Sequence, residues 1–335
     1  MINPEDISVV VQGAVGKETA RCLRSIRKHL PGAEIILSTW QGTDVNGLDY
    51  DKLVLSEDPG GIIHRMGCAP NNVNRQLIST QAGLQIAKRK YTLKLRTDLI
   101  IQSTNFLKYF DKFPVRNPEY SIFKHRVIIS TVYAREQYLG SNFLFHPSDF
   151  WFFGLTDDIC DYWMKTEKQE TCTHVISGFR ITGNSLIKYV PEQYYCINWA
   201  HRRFPNIVFN DCQDDNYDAT VASLNILYNN FIFIGPYQAG IWSKKHKKAY
   251  RNEYSFLCGM KGLITYELFQ QRYKELCDTS YLPNTDKYKY LYKMRRSYTQ
   301  VLQPLRYIVK WFIWIFRSVY YTASYLIHCL KNNKG

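Results

Sequence analysis

Apolar and polar positions change period several times along the chain, and each change marks an element. Ile7-Ser8-Val9-Val10-Val11 is a β-branched run closed by Gln12-Gly13, which predicts a buried strand. Residues 17–30 then place Ala20, Leu23, Ile26 and Leu30 at helical spacing, and Pro31-Gly32 stops that helix. Two more strand-length runs follow at 34–38 and 52–56, ending in Thr39-Trp40 and in Glu57-Asp58-Pro59-Gly60-Gly61. A helix is predicted over 74–89, with Leu77, Leu84, Ile86 and Ala87 apolar, and an apolar-polar strand over 91–99. The second half is less regular. It predicts aromatic-rich strands at 126–133 and 150–153 and helices at 157–165, 174–188 and 261–276. Strands alternating with helices define an α/β class with a parallel sheet. In such sheets ligands sit outside the carboxyl ends of the strands. Gln12-Gly13, Thr39-Trp40, Glu57-Asp58 and Arg96-Thr97-Asp98 all fall at those ends, so the four ends are expected to line one crevice.

Composition changes the picture in one respect. A chain of 335 residues that is 45% hydrophobic and 15% aromatic has ample core material, which excludes a disordered protein. Its net charge of +14 points to a polyanion, but the charge is unevenly spread. Residues 1–240 hold 25 Lys and Arg against 24 Asp and Glu, whereas residues 241–335 hold 18 against 5, and no acidic residue follows Asp286. The body is nearly neutral and the tail is basic. Over 305–330 a helix of about 39 Å would gather Arg306, Lys310, Arg317, Ser324, His328 and Lys331 on one stripe. Ile308, Phe312, Ile315, Phe316, Val319, Leu326 and Ile327 would lie opposite. That is the pattern of a helix lying in the plane of an anionic membrane surface, rather than a spanning one, because Lys310 and Arg317 fall mid-helix. A terminal helix docked on the protein's own core is the alternative. The expected partner of the basic tail is therefore a membrane and not nucleic acid. The nine cysteines contain no C-x-x-C pair and read as reduced thiols, and the acidic start of the chain does not resemble a secretory signal. Both fit a cytoplasmic protein.

A resemblance comes from motifs taken in order. Val11-Gln12-Gly13, Leu37-Ser38-Thr39-Trp40, Ser56-Glu57-Asp58-Pro59-Gly60, Asn72-x-Asn74-Arg75-Gln76, Lys94-Leu95-Arg96-Thr97-Asp98-Leu99, Ser148-Asp149-Phe150-Trp151-Phe152-Phe153-Gly154 and Pro191-Glu192-Gln193-Tyr194 span roughly residues 7–200. Together they resemble the WavE family of lipopolysaccharide-synthesis proteins. The Gly83-Leu84 helix before a strand ending at Asp98 resembles the heart of GT-A glycosyltransferases. That resemblance implies a Rossmann-like nucleotide-sugar-binding fold with a mixed, mainly parallel central sheet. It implies a GT-A domain over 1–240 (a donor half at 1–110, an acceptor half at 111–240), a basic helical segment at 241–300 and an amphipathic membrane-associating helix at 301–335. The expected substrates are a nucleotide sugar and a lipid-linked or oligosaccharide acceptor, as in lipopolysaccharide or capsule synthesis at the cytoplasmic membrane face.

Transfer from a nucleotide sugar needs compensation for charge growing on the leaving phosphate. Asp98 is the expected ligand of a divalent metal, Mn²⁺ or Mg²⁺. Arg96 stands where a first Asp is usual, and either grips a phosphate or simply pairs with Asp98. The other donor contacts expected are Gln12, Gly13, Thr39, Asp58, Asn74, Arg75 and Lys94. For Asp58 an Asx-turn is an equal alternative, and for Asn74 a plain helix N-cap. The expected general base is Asp149, then Glu192, then Asp158 in the Asp157-Asp158 pair. Two rivals remain. A sugar nucleotidyltransferase needs a phosphate-gripping loop after the first strand, of which Gln12-Gly13-Ala14-Val15-Gly16-Lys17 is a poor version. A nucleic-acid-binding protein needs a basic patch on the body, which nearly neutral 1–240 does not offer.

Overall fold

The computed structural model describes residues 2–62, 70–138, 141–170, 189–212, 214, 216–253 and 262–284, with positions 312, 315, 316, 319 and 323. The first half forms β1 (Ile7–Gln12), α1 (Thr19–His29), β2 (Glu34–Trp40), β3 (Lys52–Ser56), α2 (Val73–Ile86), β4 (Tyr91–Arg96) and β5 (Ile100–Ile101). The second forms β6 (Val127–Ser130), the hairpin β7 (Arg135–Tyr138) and β8 (Ser141–His146), β9 (Phe152–Leu155), α3 (Thr156–Trp163), α4 (Pro191–His201), α5 (Tyr217–Asn230), β10 (Phe231–Ile234), α6 (Pro236–Ala239), β11 (Ile241–Trp242), α7 (Lys247–Glu253) and α8 (Tyr266–Leu276). The α/β class is as expected. The predicted strand over 91–99 stops at Arg96, because Thr97 and Asp98 turn away, with the Leu99 N–H donating to the Arg96 carbonyl at 3.1 Å. The helix expected at 174–188 lies outside the described residues, as does most of the C-terminal one. The five described positions there are helical, and Phe312, Phe316 and Val319 are exposed.

Seven strands form the central sheet in the order β10-β6-β9-β4-β1-β2-β3. All are parallel except β9, which runs against both β4 and β6. Strand β1 is buried on both faces, so it reads as a continuous apolar run, whereas edge strand β3 is half exposed. Helix α2 lies against β1 and β2, close enough that a Cβ on Gly83 would sit 2.4 Å from Val10 Cγ1. Only glycine permits that approach.

Two features of this topology position the site. The chain lays down β1, β2 and β3 outward, then returns over α2 to place β4 on the other side of β1. The β1/β4 junction is therefore a topological switch point, where a crevice opens at the carboxyl edge. Because β9 is antiparallel, its amino end, and with it Asp149, belongs to that same edge. Its carboxyl end, with α3, belongs to the opposite edge.

The core does not end at residue 240, the boundary expected for the catalytic domain. Strand β11 pairs antiparallel with β5, the Ile264 N–H donates to the Ala134 carbonyl at 2.9 Å, and Phe269 and Tyr273 of α8 are fully buried. Residues 241–253 and 262–284 are thus part of the same packed body, and not a separate basic segment.

Candidate active site

Strand β4 sends Lys94 and Arg96 to the same side, one turn of the pleat apart. Arg96 reaches the crevice and meets Asp98 in a bidentate pair: Nε donates to Oδ1 at 3.0 Å and Nη2 to Oδ2 at 2.8 Å. Phe150, which extends β9 toward the crevice, packs its ring 4.8 Å from the guanidinium carbon. A third group closes over the pair. His246 Nε2 lies 3.4 Å from Arg96 Nη2 and 3.8 Å from Asp98 Oδ2, and its Nδ1 lies 3.1 Å from the Tyr133 hydroxyl. Burial alone would raise the Asp98 carboxyl. The nearby His246 imidazole and the Arg96 guanidinium outweigh it and hold Asp98 well below the usual carboxylate range.

The route that brings His246 here is long in sequence but short in space. After Asp98 the chain enters β5, and β11 pairs with β5 in the register Trp242 to Ile100. Gly240 makes the preceding turn with φ +71°, where an added Cβ would meet Ser103 Oγ at 2.0 Å. The turn after β11 then returns His246 to Asp98. Its partner Tyr133 also has a left-handed backbone, φ 65°, a strained setting for a bulky residue that its surroundings must enforce. Neither residue was expected from the sequence. His246 is hidden in the basic run Ser243-Lys244-Lys245-His246, and the short strand Ile241–Trp242 after Gly240 is the one local sign of its pairing with β5.

Next to the cation pair lies an acidic pair. Asp149 is nearly buried, and its backbone carbonyl accepts two hydrogen bonds: from Lys94 Nζ at 2.6 Å and from Gln76 Nε2 at 3.1 Å. Lys94 is itself fully buried, with Nζ 4.6 Å from the centre of the Trp163 ring, and burial pulls its ammonium down to about 7. Lys94 therefore anchors the loop that presents Asp149. Glu192 stands in the first turn of α4, where the helix dipole would favour a carboxylate. Burial and the neighbouring Asp149 charge win instead and push it up to about 8. His146 Nε2 lies 3.6 Å from Glu192 Oε2, and burial, helped by Arg135, pulls this imidazole down to about 3. Burial and the Asp149 charge thus favour the protonated form of Glu192, beside an imidazole that burial holds toward its neutral form.

The remaining expected residues divide. Gln12 ends β1 in the crevice wall, where its Oε1 accepts from Ser79 Oγ at 2.7 Å. Gly13 follows with φ +112°, and its N–H donates to the Ser38 carbonyl at 3.0 Å. Thr39 is fully buried and its hydroxyl has no partner among the described residues. Asp58 lies at the crevice rim after β3. It makes the Asx-turn, accepting the Gly60 N–H at 2.9 Å, and pairs bidentately with Arg75 at 2.7 and 2.8 Å. Asn74 is neither an N-cap nor free for a phosphate. Asn72 is the cap residue, and the Asn74 amide exchanges two hydrogen bonds with the backbone of Gln169, at 2.9 and 2.7 Å.

Asp158 is a correction. It follows the carboxyl end of antiparallel β9 and so lies at the opposite edge of the sheet, away from Asp98 and Asp149. There its buried carboxylate accepts the backbone N–H groups of Lys124 and His125 at 2.7 and 2.9 Å. It ties down a connecting loop and is no candidate base.

Asp98 does not fit the metal expected of it. Arg96 occupies both of its oxygens, and among the described residues no group of three or more His, Cys, Asp and Glu side chains is placed to hold an ion.

A Rossmann-like sheet with a polar crevice at its switch point, an Arg–Asp–His cluster on one side and two buried carboxyl groups on the other, gathers ionisable groups where α/β folds bind their ligands. The chain belongs to the WavE lipopolysaccharide synthesis family, whose model matches residues 7–306 and so takes in His246 as well as the earlier strand ends. No curated protein matches the chain.

Proposed function

We propose that the protein is a glycosyltransferase of lipopolysaccharide or related surface-glycan synthesis, moving a sugar from a nucleotide-sugar donor to a lipid-linked or lipopolysaccharide acceptor. The observation that carries this reading is the juxtaposition at one sheet edge of Arg96, Asp98 and His246 with Asp149 and Glu192. Donor transfer needs both halves: donors of positive charge where the phosphate departs, and a carboxylate where the acceptor hydroxyl loses its proton. Asp149 is the base, held by Lys94 and Gln76 through its own backbone. Glu192, protonated, is a hydrogen-bond donor beside it. The crevice wall at Gln12 and Gly13 receives the nucleotide, with the Asp58–Arg75 pair at its rim.

Among the described residues no helix is long and apolar enough to cross a membrane. The excess of basic residues beyond 240 supports peripheral attachment to an anionic cytoplasmic membrane face, where a membrane-held acceptor would be met. The test is incubation of the full chain with a panel of nucleotide sugars, following release of the nucleotide with and without membrane extract. Release from one donor, lost in Asp149→Asn, is expected. Release from no donor under any condition overturns the reading.

A further inference from the structure

We propose that the departing diphosphate is neutralised by Arg96 rather than by a divalent metal, with Asp98 and His246 serving to aim the guanidinium. This rests on the glycosyl-transfer reading above and adds how the leaving group is held.

Three observations carry it. First, the one carboxylate at the end of β4 is already spent. A hard divalent ion demands several free oxygen ligands, and here it would have to displace a bidentate guanidinium to gain the first. Second, the guanidinium is fixed but not exhausted. Its plane is set by Asp98 on one edge and by the Phe150 ring 4.8 Å away. Among the described residues Nη1 makes no hydrogen bond. A fixed, always-charged guanidinium with a free Nη1 end suits a phosphate oxygen, which accepts a strong charge-assisted hydrogen bond. Third, His246 is clasped between the Tyr133 hydroxyl and the Arg96–Asp98 pair, so it backs the Nη2 side of the guanidinium and leaves Nη1 as the end that faces a ligand.

The transfer balances without a further reagent. The acceptor oxygen forms a bond to the anomeric carbon as the bond from that carbon to the phosphate oxygen breaks. The acceptor proton passes to Asp149. The leaving nucleoside diphosphate takes the electron pair, and its added negative charge meets Arg96 Nη1.

The experiment is titration of the full chain with UDP, GDP, ADP, CDP and dTDP, each in EDTA and again with Mn²⁺ or Mg²⁺. At least one diphosphate is expected to bind with a Kd that differs less than about twofold between the two conditions. Arg96→Gln should weaken it about tenfold or more, since charged hydrogen bonds contribute about 1.5–3 kcal/mol. Asp98→Asn, which unfixes the guanidinium without removing it, should weaken binding by less than Arg96→Gln does, and equally in EDTA and with the metal. Thermal unfolding checks that each variant folds. If Arg96→Gln does not, His246→Gln takes its place, with a several-fold loss expected. Binding that requires the metal and vanishes in Asp98→Asn overturns the inference and leaves glycosyl transfer standing. Binding of no diphosphate in either condition removes both.

Discussion

The two edges of the central sheet use similar residues to opposite ends. At the edge where β9 finishes, polar side chains are matched to backbone and to one another in locks. Asp158 holds two N–H groups of the 124–125 loop, Thr156 Oγ1 donates to the Arg89 carbonyl at 2.6 Å, and Ser8 Oγ donates to Glu34 at 2.8 Å. At the carboxyl edge of the parallel strands, side chains are matched to other ionisable side chains: Arg96 to Asp98, His246 to both, Glu192 to Asp149 and His146. Partners of the first kind are spent on stability. Partners of the second kind can exchange protons or be displaced by a ligand. A titratable residue at the second edge is therefore a better candidate for chemistry than one equally buried at the first.

The sharpest way to break this contrast is a pair of aspartates. Asp149→Asn should lower sugar transfer by about 10²–10⁴-fold, the usual contribution of a general base. Its melting temperature should change little, because Lys94 and Gln76 bind the carbonyl of residue 149 and not its side chain. Asp158→Ala should do the reverse. It strands two partly buried N–H groups and should cost about 1–3 kcal/mol of stability, with activity per folded molecule unchanged. If Asp158→Ala abolishes transfer in protein that melts normally, the two edges are not divided in this way. Lys94→Met comes next. It retains the packing on Trp163 but removes one of the two anchors of the Asp149 loop, so kcat should fall about tenfold or more with donor KM little changed. A loss confined to KM would place Lys94 against the donor instead.

The carboxyl edge was legible because β-branched runs bounded by turn residues fix where parallel strands end, and polar residues sit just past those ends. That is how Gln12, Arg96, Asp98 and the crevice itself were reached. The direction of β9 was not legible. Phe150-Trp151-Phe152-Phe153-Gly154 has the same apolar pattern whichever way it runs, so Asp149 before it and Asp158 after it both stand as candidate bases in the sequence, Asp149 first and Asp158 third. Pairing with β4 and β6 decides between them, and pairing is a long-range property. His246 was hidden for the same reason. Its neighbours are lysines, and only the β5–β11 pairing brings it to Asp98. Asn74 misled through helix phase: a start one residue earlier makes Asn72 the cap and turns the Asn74 amide toward Gln169.

The acidic pair gives a pH test of the contrast. The pKa of Glu192 is raised in the folded protein, so its contribution to stability is complete below the ordinary carboxylate range and is lost as pH rises toward about 8. Glu192→Gln cannot lose it. The melting temperature of the variant minus that of the wild type should therefore grow from pH 5 to pH 8, by a few degrees. A difference that shrinks over that range would mean Glu192 is ionised in the folded protein, and the acidic pair would lose its proton.

The smallest effect is expected where the chemistry looks most alike. Asp58–Arg75 and Asp98–Arg96 are both bidentate pairs at strand ends, with similar distances. The first is more open, its side chains 37% and 34% exposed against 24% for each member of the second, and no histidine or aromatic ring is recorded against it among the described residues. Water screens a pair of that kind, so Asp58→Asn should change stability by no more than about 1 kcal/mol. The Gly60 N–H is still accepted by the amide oxygen, which keeps the turn. If Asp58 also meets the nucleotide at the rim, donor KM should rise a few-fold with kcat unchanged, the signature of lost uniform binding. A fall in kcat instead would extend the reacting centre from β4 out to β3, and the crevice would have to be redrawn around both pairs.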